Sequence, residues 1–269
     1  MKTSLLKPLL AATFALGLLA PSLPAAGQAA QRPSYEKLLA DVTARPEVAT
    51  PDQVREVLAL FGAGAHGGVE PGTVAAELRR SWPEPVARAP VMIPAEVRQR
   101  LIPEGKNVEK MAGAITPLLK FARLEGRVRP FLFRSEVPIT FFVYPNALFV
   151  STRALALLDA EELEAQVAHE VTHLVGQALY RRAVDGGDDR TRRLLELFCD
   201  AGGAAIITAK GGNARKLVSG LEKMASVLEV EFGEYQRGTK HPTMKARRQL
   251  NDALVGEFKR AALAAAAAK

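Results

Sequence analysis

The chain has 269 residues, 48% of them apolar and 24% charged, with a formal charge of +7 at neutral pH. Such a composition excludes a disordered or fibrous chain and allows one domain of moderate size with a substantial core. Lys and Arg are spread out, with no basic block interleaved with aromatics, so no nucleic-acid partner is expected; the charge does allow peripheral contact with an anionic membrane surface.

Lys2 and Lys7 precede an apolar run from Leu9 to Ala20, and small residues follow up to Gly27 and Ala29. This is the layout of a cleavable signal peptide over residues 1–27. The run is shorter than the roughly 20 apolar residues of a membrane span, and Pro21 and Pro24 follow it. The expectation is therefore export, as a soluble periplasmic or secreted chain. Removal takes away two lysines and no acid, leaving +5. Cys199 is the only cysteine, so no intrachain disulfide is possible. On an apolar helical pattern it reads as core.

Residues 28–103 are expected to form a helical extension, with helical spacing in SYEKLLADV, PDQVREVLALF and TVAAELRRSW. The glycine-rich GAGAHGGVEPG places His66 in solvent, and the proline-rich WPEPVARAPVMIP reads as an extended connection. The main domain is expected over residues 104–260. An amphipathic helix is predicted from Asn107 to Leu124, interrupted by Pro117. RPFLFRSEVPITFFVYPNALFVSTR is rich in Phe, Val, Ile and Thr and predicts two or three short strands.

The stretch from Asp159 to Arg182 repeats apolar residues (Leu163, Val167, Val171, Leu174, Ala178, Leu179) at the period of a half-buried helix. Asp159 and Glu162 stand in capping-box position. Within it lies His169-Glu170-Val171-Thr172-His173, an H-E-x-x-H. Residues four apart share a helical face, so both imidazoles can reach one ion. Zinc takes neutral His nitrogens, and a catalytic zinc uses three protein ligands plus water. Glu170 stands beside the first His, placed to take a proton from that water. Only four histidines occur in the chain, and two of them make this motif.

From Arg190 a second helical pattern runs to Gly211 and Gly212, with Glu196 and Asp200 again four apart among small and apolar residues. Glu196 can complete a His-His-Glu ligand set for one Zn²⁺, and Asp200 can accept the other ring N–H of a zinc-bound His. Asn213 can cap a third helix with Leu217, Val218, Leu221, Met224 and Leu228 on its apolar side. Gly233 and Gly238 bracket a loop to His241-Pro242, and Thr243 then caps a last helix through Leu250, Leu254 and Phe258. The Ala-rich tail over 261–269 has nothing evident to pack against and is expected to fray.

HEVTH, then E-L-F-C-D, then HPTMKARRQL resemble the gluzincin family of the CAAX prenyl protease, the HtpX heat-shock protease and their periplasmic relatives. That family has H-E-x-x-H, then E-x-x-x-D on a later helix, then H-P-x-x-x-x-R-x-x-L. The likeness covers roughly residues 105 to 255. It departs at Thr172, where Gly or Ser is commoner, and in a shortened segment around Asn146.

The resemblance implies an α+β, mainly helical, zincin-like domain with a small sheet edge beside the H-E-x-x-H helix. It places a substrate-binding strand edge around Phe141 to Val150, with Asn146-Ala147 near the cleft; an ordinary turn Asn after Pro145 is the other reading. His241 is implied as a catalytic helper at the oxyanion, or alternatively as a ligand that holds the enzyme latent. Arg247 is expected to ion-pair near the cleft, among the substrate-binding residues, or to sit on the helix surface. The implied activity is an exported zinc metalloendopeptidase acting on unfolded or misassembled polypeptides in envelope quality control. The alternatives are a latent or non-catalytic zinc-binding, chaperone-like protein, and a basic scaffold at a membrane surface.

Overall fold

A computed structural model describes residues 69–82, 89–187, 189–232 and 241–267. The expected leader, the first two helices of the extension, His66 and the loop of Gly233 and Gly238 lie outside these residues. Two helices come first, α1 (Pro71–Ser81) and the single turn α2 (Ala95–Arg98), followed by the short strand β1 (Leu101–Ile102) and α3 (Lys106–Phe121). Then come β2 (Arg129–Phe133), β3 (Thr140–Val143), β4 (Ala147–Ser151) and α4 (Thr152–Leu157). Four long helices complete the described chain: α5 (Ala160–Asp185), α6 (Asp189–Ala209), α7 (Arg215–Phe232) and α8 (Met244–Ala267). The architecture is α+β and mainly helical.

The sheet order is β1-β2-β4-β3. β1 and β2 are antiparallel, β2 and β4 parallel, and β3 and β4 antiparallel. β4 is therefore paired on both sides and wholly buried, while among the described residues β3 is an edge. Alternation along β3 sends Phe141 and Val143 into a small core with Phe133, Phe149 and Val97. Phe142 and Tyr144 face the larger, helical core. One face of the sheet thus packs on helices, and the other is covered by the segment that carries Val91, Met92, Ile93 and Val97.

α5 is the centre of the helical layer. Its N-terminus has the expected capping box: Glu162 N–H donates to Asp159 Oδ1 (2.8 Å), and Asp159 N–H donates to Glu162 Oε2 (3.0 Å). Leu163, Val167, Val171 and Leu174 are buried as expected, but so are Glu162, Gln166, His169 and Thr172. The expected half-buried helix is thus surrounded on most sides, because α3, β3, α6 and α7 all pack on it. Gln166 reaches across to α7 and donates to the Leu217 carbonyl (2.8 Å).

Three expectations are corrected here. Pro117 does not interrupt α3; it and Gly113, the residue whose carbonyl it leaves without a helical donor, are both exposed, so water can satisfy that carbonyl. The boundary expected at 103/104 does not separate two cores among the described residues. Val74, Ala75 and Leu78 of α1 are buried in the helical core, and β1 extends the sheet. Finally, the Ala-rich tail expected to fray continues α8 as helix to Ala267, with Ala261 buried and residues 262–267 exposed. Among the described residues no helix is long and apolar enough to cross a membrane.

Candidate metal centre

The site forms where α5 and α6 approach most closely. Small residues set that distance: a Cβ on Gly203 would lie 2.9 Å from the His169 backbone nitrogen, and one on Gly202 would lie 2.5 Å from Thr172 Cγ2. Gly202 therefore makes room for Thr172. Thr172 is itself buried and donates its hydroxyl to the Ala168 carbonyl (2.8 Å). This contact brings the H-E-x-x-H turn of α5 against the Glu196–Asp200 turn of α6.

His169 Nε2 and His173 Nε2 face each other at 3.3 Å. Glu196 closes the group, with Oε2 at 3.4 Å from His169 Nε2 and Oε1 at 3.8 Å from His173 Nε2. Tetrahedral zinc with bonds of about 2.0–2.1 Å sets neighbouring donors roughly 3.3 Å apart, so the two imidazoles and the carboxylate are close to the spacing of ligands around one small ion. His169, His173 and Glu196 are a group that could hold a metal ion. Cys199, three residues from Glu196, takes no part in it. Its thiol is buried, and burial pushes its pKa well up.

Asp200 Oδ1 accepts the His169 Nδ1 proton at 2.8 Å. In a neutral, metal-binding His169, a proton held on Nδ1 by Asp200 would leave the Nε2 lone pair for the ion. Arg247 of α8 ties both α6 acids together, donating from Nη2 to Glu196 Oε2 (2.9 Å) and from Nη1 to Asp200 Oδ1 (3.0 Å). It is 2% exposed. Arg247 therefore makes an ion pair beside the candidate site, one of its two expected placements, and does not lie on the helix surface. The α8 pattern of Ala246, Leu250, Asn251 and Leu254 puts it on the buried face, and that spacing was a signal available in the sequence.

Charges in the metal-free group follow from these contacts. Burial opposes protonation of His169, but its bonds to Asp200 and Glu196 outweigh that and push it up to about 10. Burial drives His173 down to about 4. Glu196 is also desolvated, yet the histidines around it hold its carboxyl well below the usual range. Glu170 lies beside the group and accepts the Thr140 hydroxyl of β3 (3.2 Å). Burial pushes Glu170 up to about 7, with the charge of Glu196 adding to the effect against that of His169. Thr140 went unnoticed in the sequence, where only the alternation of β3 hinted that it shares a face with Phe142 and Tyr144.

His241 precedes α8, half-buried, in the electrostatic reach of Glu196, Arg247, His169 and Asp200, and burial lowers its pKa. Its position follows from the cap of α8, where Ala246 N–H donates to Thr243 Oγ1 (3.2 Å) as expected. Asn146 and Ala147 do not line a cleft edge. Asn146 is the turn residue between β3 and β4, buried, with Nδ2 donating to the Ala89 carbonyl (2.9 Å). Ala147 lies on β4, paired to both β2 and β3. Of the stretch Phe141 to Val150, only β3 is at the edge of the sheet, because the chain turns back at Asn146 and runs inside it.

No family model, curated protein or solved structure matches this chain. The geometry of the group therefore carries the functional argument.

Proposed function

We propose that the protein is a zinc-dependent metalloendopeptidase of the gluzincin type that cleaves extended segments of unfolded polypeptides. The observation that carries this reading is the convergence of His169 Nε2, His173 Nε2 and the Glu196 carboxylate, with an acid beside them that is not one of the three. Two imidazoles and one carboxylate on adjacent helices form a donor set that suits zinc. When bound, zinc supplies a Lewis acid and brings the pKa of a water to about 7.

The roles of the chain's own residues follow from their surroundings. Asp200 and Arg247 hold His169 and Glu196 in place. Glu170, with a carboxyl raised toward neutrality by burial, accepts a proton from the attacking water and returns it to the leaving amine. His241 is the helper for the oxyanion. The edge that β3 forms among the described residues, whose first residue Thr140 bonds Glu170, takes the polypeptide as an added strand, which gives affinity through main-chain pairing with little sequence demand. The layout 1–27 supports export, and envelope quality control fits such a substrate.

The test is casein hydrolysis by the zinc-loaded chain beside Glu170→Gln, with zinc measured in both. The expected result is zinc in both and a loss of about 10²–10⁴ in rate for the variant. Zinc in both without cleavage by either supports the latent or chaperone-like reading instead. Absence of zinc from both removes the metal site.

A further inference from the structure

Thr140 is the first residue of β3 and is 9% exposed. Its backbone is fixed by β4. Thr140 pairs with Val150, and Ser151 holds the residue before it twice. Ile139 N–H donates to Ser151 Oγ (3.0 Å), and Ser151 N–H donates to the Ile139 carbonyl (3.0 Å). Ser151 Oγ also accepts from Ala154 N–H and so caps α4. A β-branched side chain is restricted at χ1, so a hydroxyl on this backbone has few directions open to it. It donates to Glu170 Oε1 of α5, thirty residues on, at 3.2 Å.

Valine would fill the same space and suit a strand equally well, and Phe142, next on that face, packs on the helical core as an apolar side chain. A buried hydroxyl costs free energy unless it is bonded. This one is bonded to the acid of the H-E-x-x-H turn, which is not among the three candidate metal ligands. A glutamate carboxylate without such a contact is spread over several rotamers.

We infer that Thr140 is a positioning residue for the base: its hydroxyl holds Glu170 Oε1 and thereby presents Oε2 to the proton in transfer. The inference rests on the peptidase reading for the identity of that proton. It passes from the attacking water to Oε2 and then to the leaving amine, while Thr140 keeps its own proton throughout. The strand that takes the substrate thus also aims the base, through one short side chain. A displacement of about 1 Å from productive geometry can cost about 10²-fold in rate.

The test compares zinc-loaded wild type, Thr140→Val and Thr140→Ser, with zinc content and thermal melts measured on each. A quenched fluorescent peptide from casein gives kcat and KM. Acetohydroxamate is the second probe. Its oxygens chelate zinc and its hydroxyl proton passes to an adjacent base, so its affinity by calorimetry reports where Glu170 points without any cleavage. In Thr140→Val the expected result is a kcat lower by about 10- to 100-fold, with KM and zinc content unchanged. Acetohydroxamate should bind about tenfold more weakly. Thr140→Ser should recover most of both, and in a Glu170→Gln background Thr140→Val should leave hydroxamate affinity unchanged. Wild-type kcat and hydroxamate affinity in Thr140→Val overturn the inference. So does a raised KM at unchanged kcat, which places Thr140 on the substrate strand alone, or a loss of affinity that persists in Glu170→Gln. Cleavage that needs Glu170 and is indifferent to Thr140→Val leaves the peptidase reading standing alone. The expected hydroxamate pattern without cleavage by wild type leaves the positioning role and removes the peptidase. Absence of zinc from every chain removes both.

Discussion

Arg247 reaches two carboxylates at once, and that double contact makes it the residue on which the candidate centre depends most. Without it, Glu196 and Asp200 would stand as two buried acids, one beside the ligand histidines and one on the His169 ring. Arg247→Met should therefore weaken zinc retention by about 10–100-fold, the usual effect of losing the support behind a metal ligand. Competition with a chromophoric chelator measures it. Arg247→Lys should recover only part, since an ammonium on a flexible stem cannot hold both acids in the planar fork. Zinc affinity equal to wild type in both variants would show that Glu196 and Asp200 are held without the arginine. At this scale much was legible in the chain. The spacing of His169, Glu170 and His173 follows from helical geometry alone, and Glu196 and Asp200 repeat it. Thr140 as the partner of Glu170 was not legible, because its meaning comes from which helix passes beside β3.

The pairing of α5 with α6 makes two four-residue spacings into one site. Its closeness comes from Gly202 and Gly203, which leave room for Thr172 and for the His169 backbone. Gly203→Ala meets backbone, which cannot rotate away as a side chain can. The helices must separate, at a cost of about 1–3 kcal/mol, read as a lower Tm together with weaker zinc binding. Gly202→Ala should be relieved by Thr172→Ala in the double variant, since the atoms it meets belong to that side chain; failure of the rescue would mean that the two helices are not held apart by this contact. The sequence showed small residues in α6 but not which of them would touch α5. The sheet shows the same division. Three of its four strands could be read from Phe, Val, Ile and Thr, but the position of β4 inside the sheet, and hence of β3 at its edge, depends on pairing between distant segments. That order moves the free edge away from Asn146 and Ala147.

Across the whole molecule, one buried acid joins the N-terminus of α5 to α7. Glu162 is desolvated, which alone would raise its carboxyl, but Lys223, Ser219 and the Asp159 N–H hold it below its ordinary 4.5. A carboxyl depressed in the folded state contributes stability that is full above its unfolded value and is lost as pH falls through the folded one. Stability should thus fall on acidification below about pH 4.5, and Glu162→Gln should lower Tm near neutrality while flattening that acid limb. Melting curves of both chains from neutral to acid pH measure it; parallel curves would show that the acid limb has another source. The sequence by itself determined the long helices, the capping box, the strand-rich segment and the residue types able to bind a metal, because each rests on contacts within a few residues of the chain. Only the tertiary structure decided that Glu196 meets the two histidines, that Arg247 is buried behind them, that α1 belongs to the main core and that β3 is the free edge. Those facts depend on which distant segments pack together, and periodicity says which face of an element is apolar without naming what covers it.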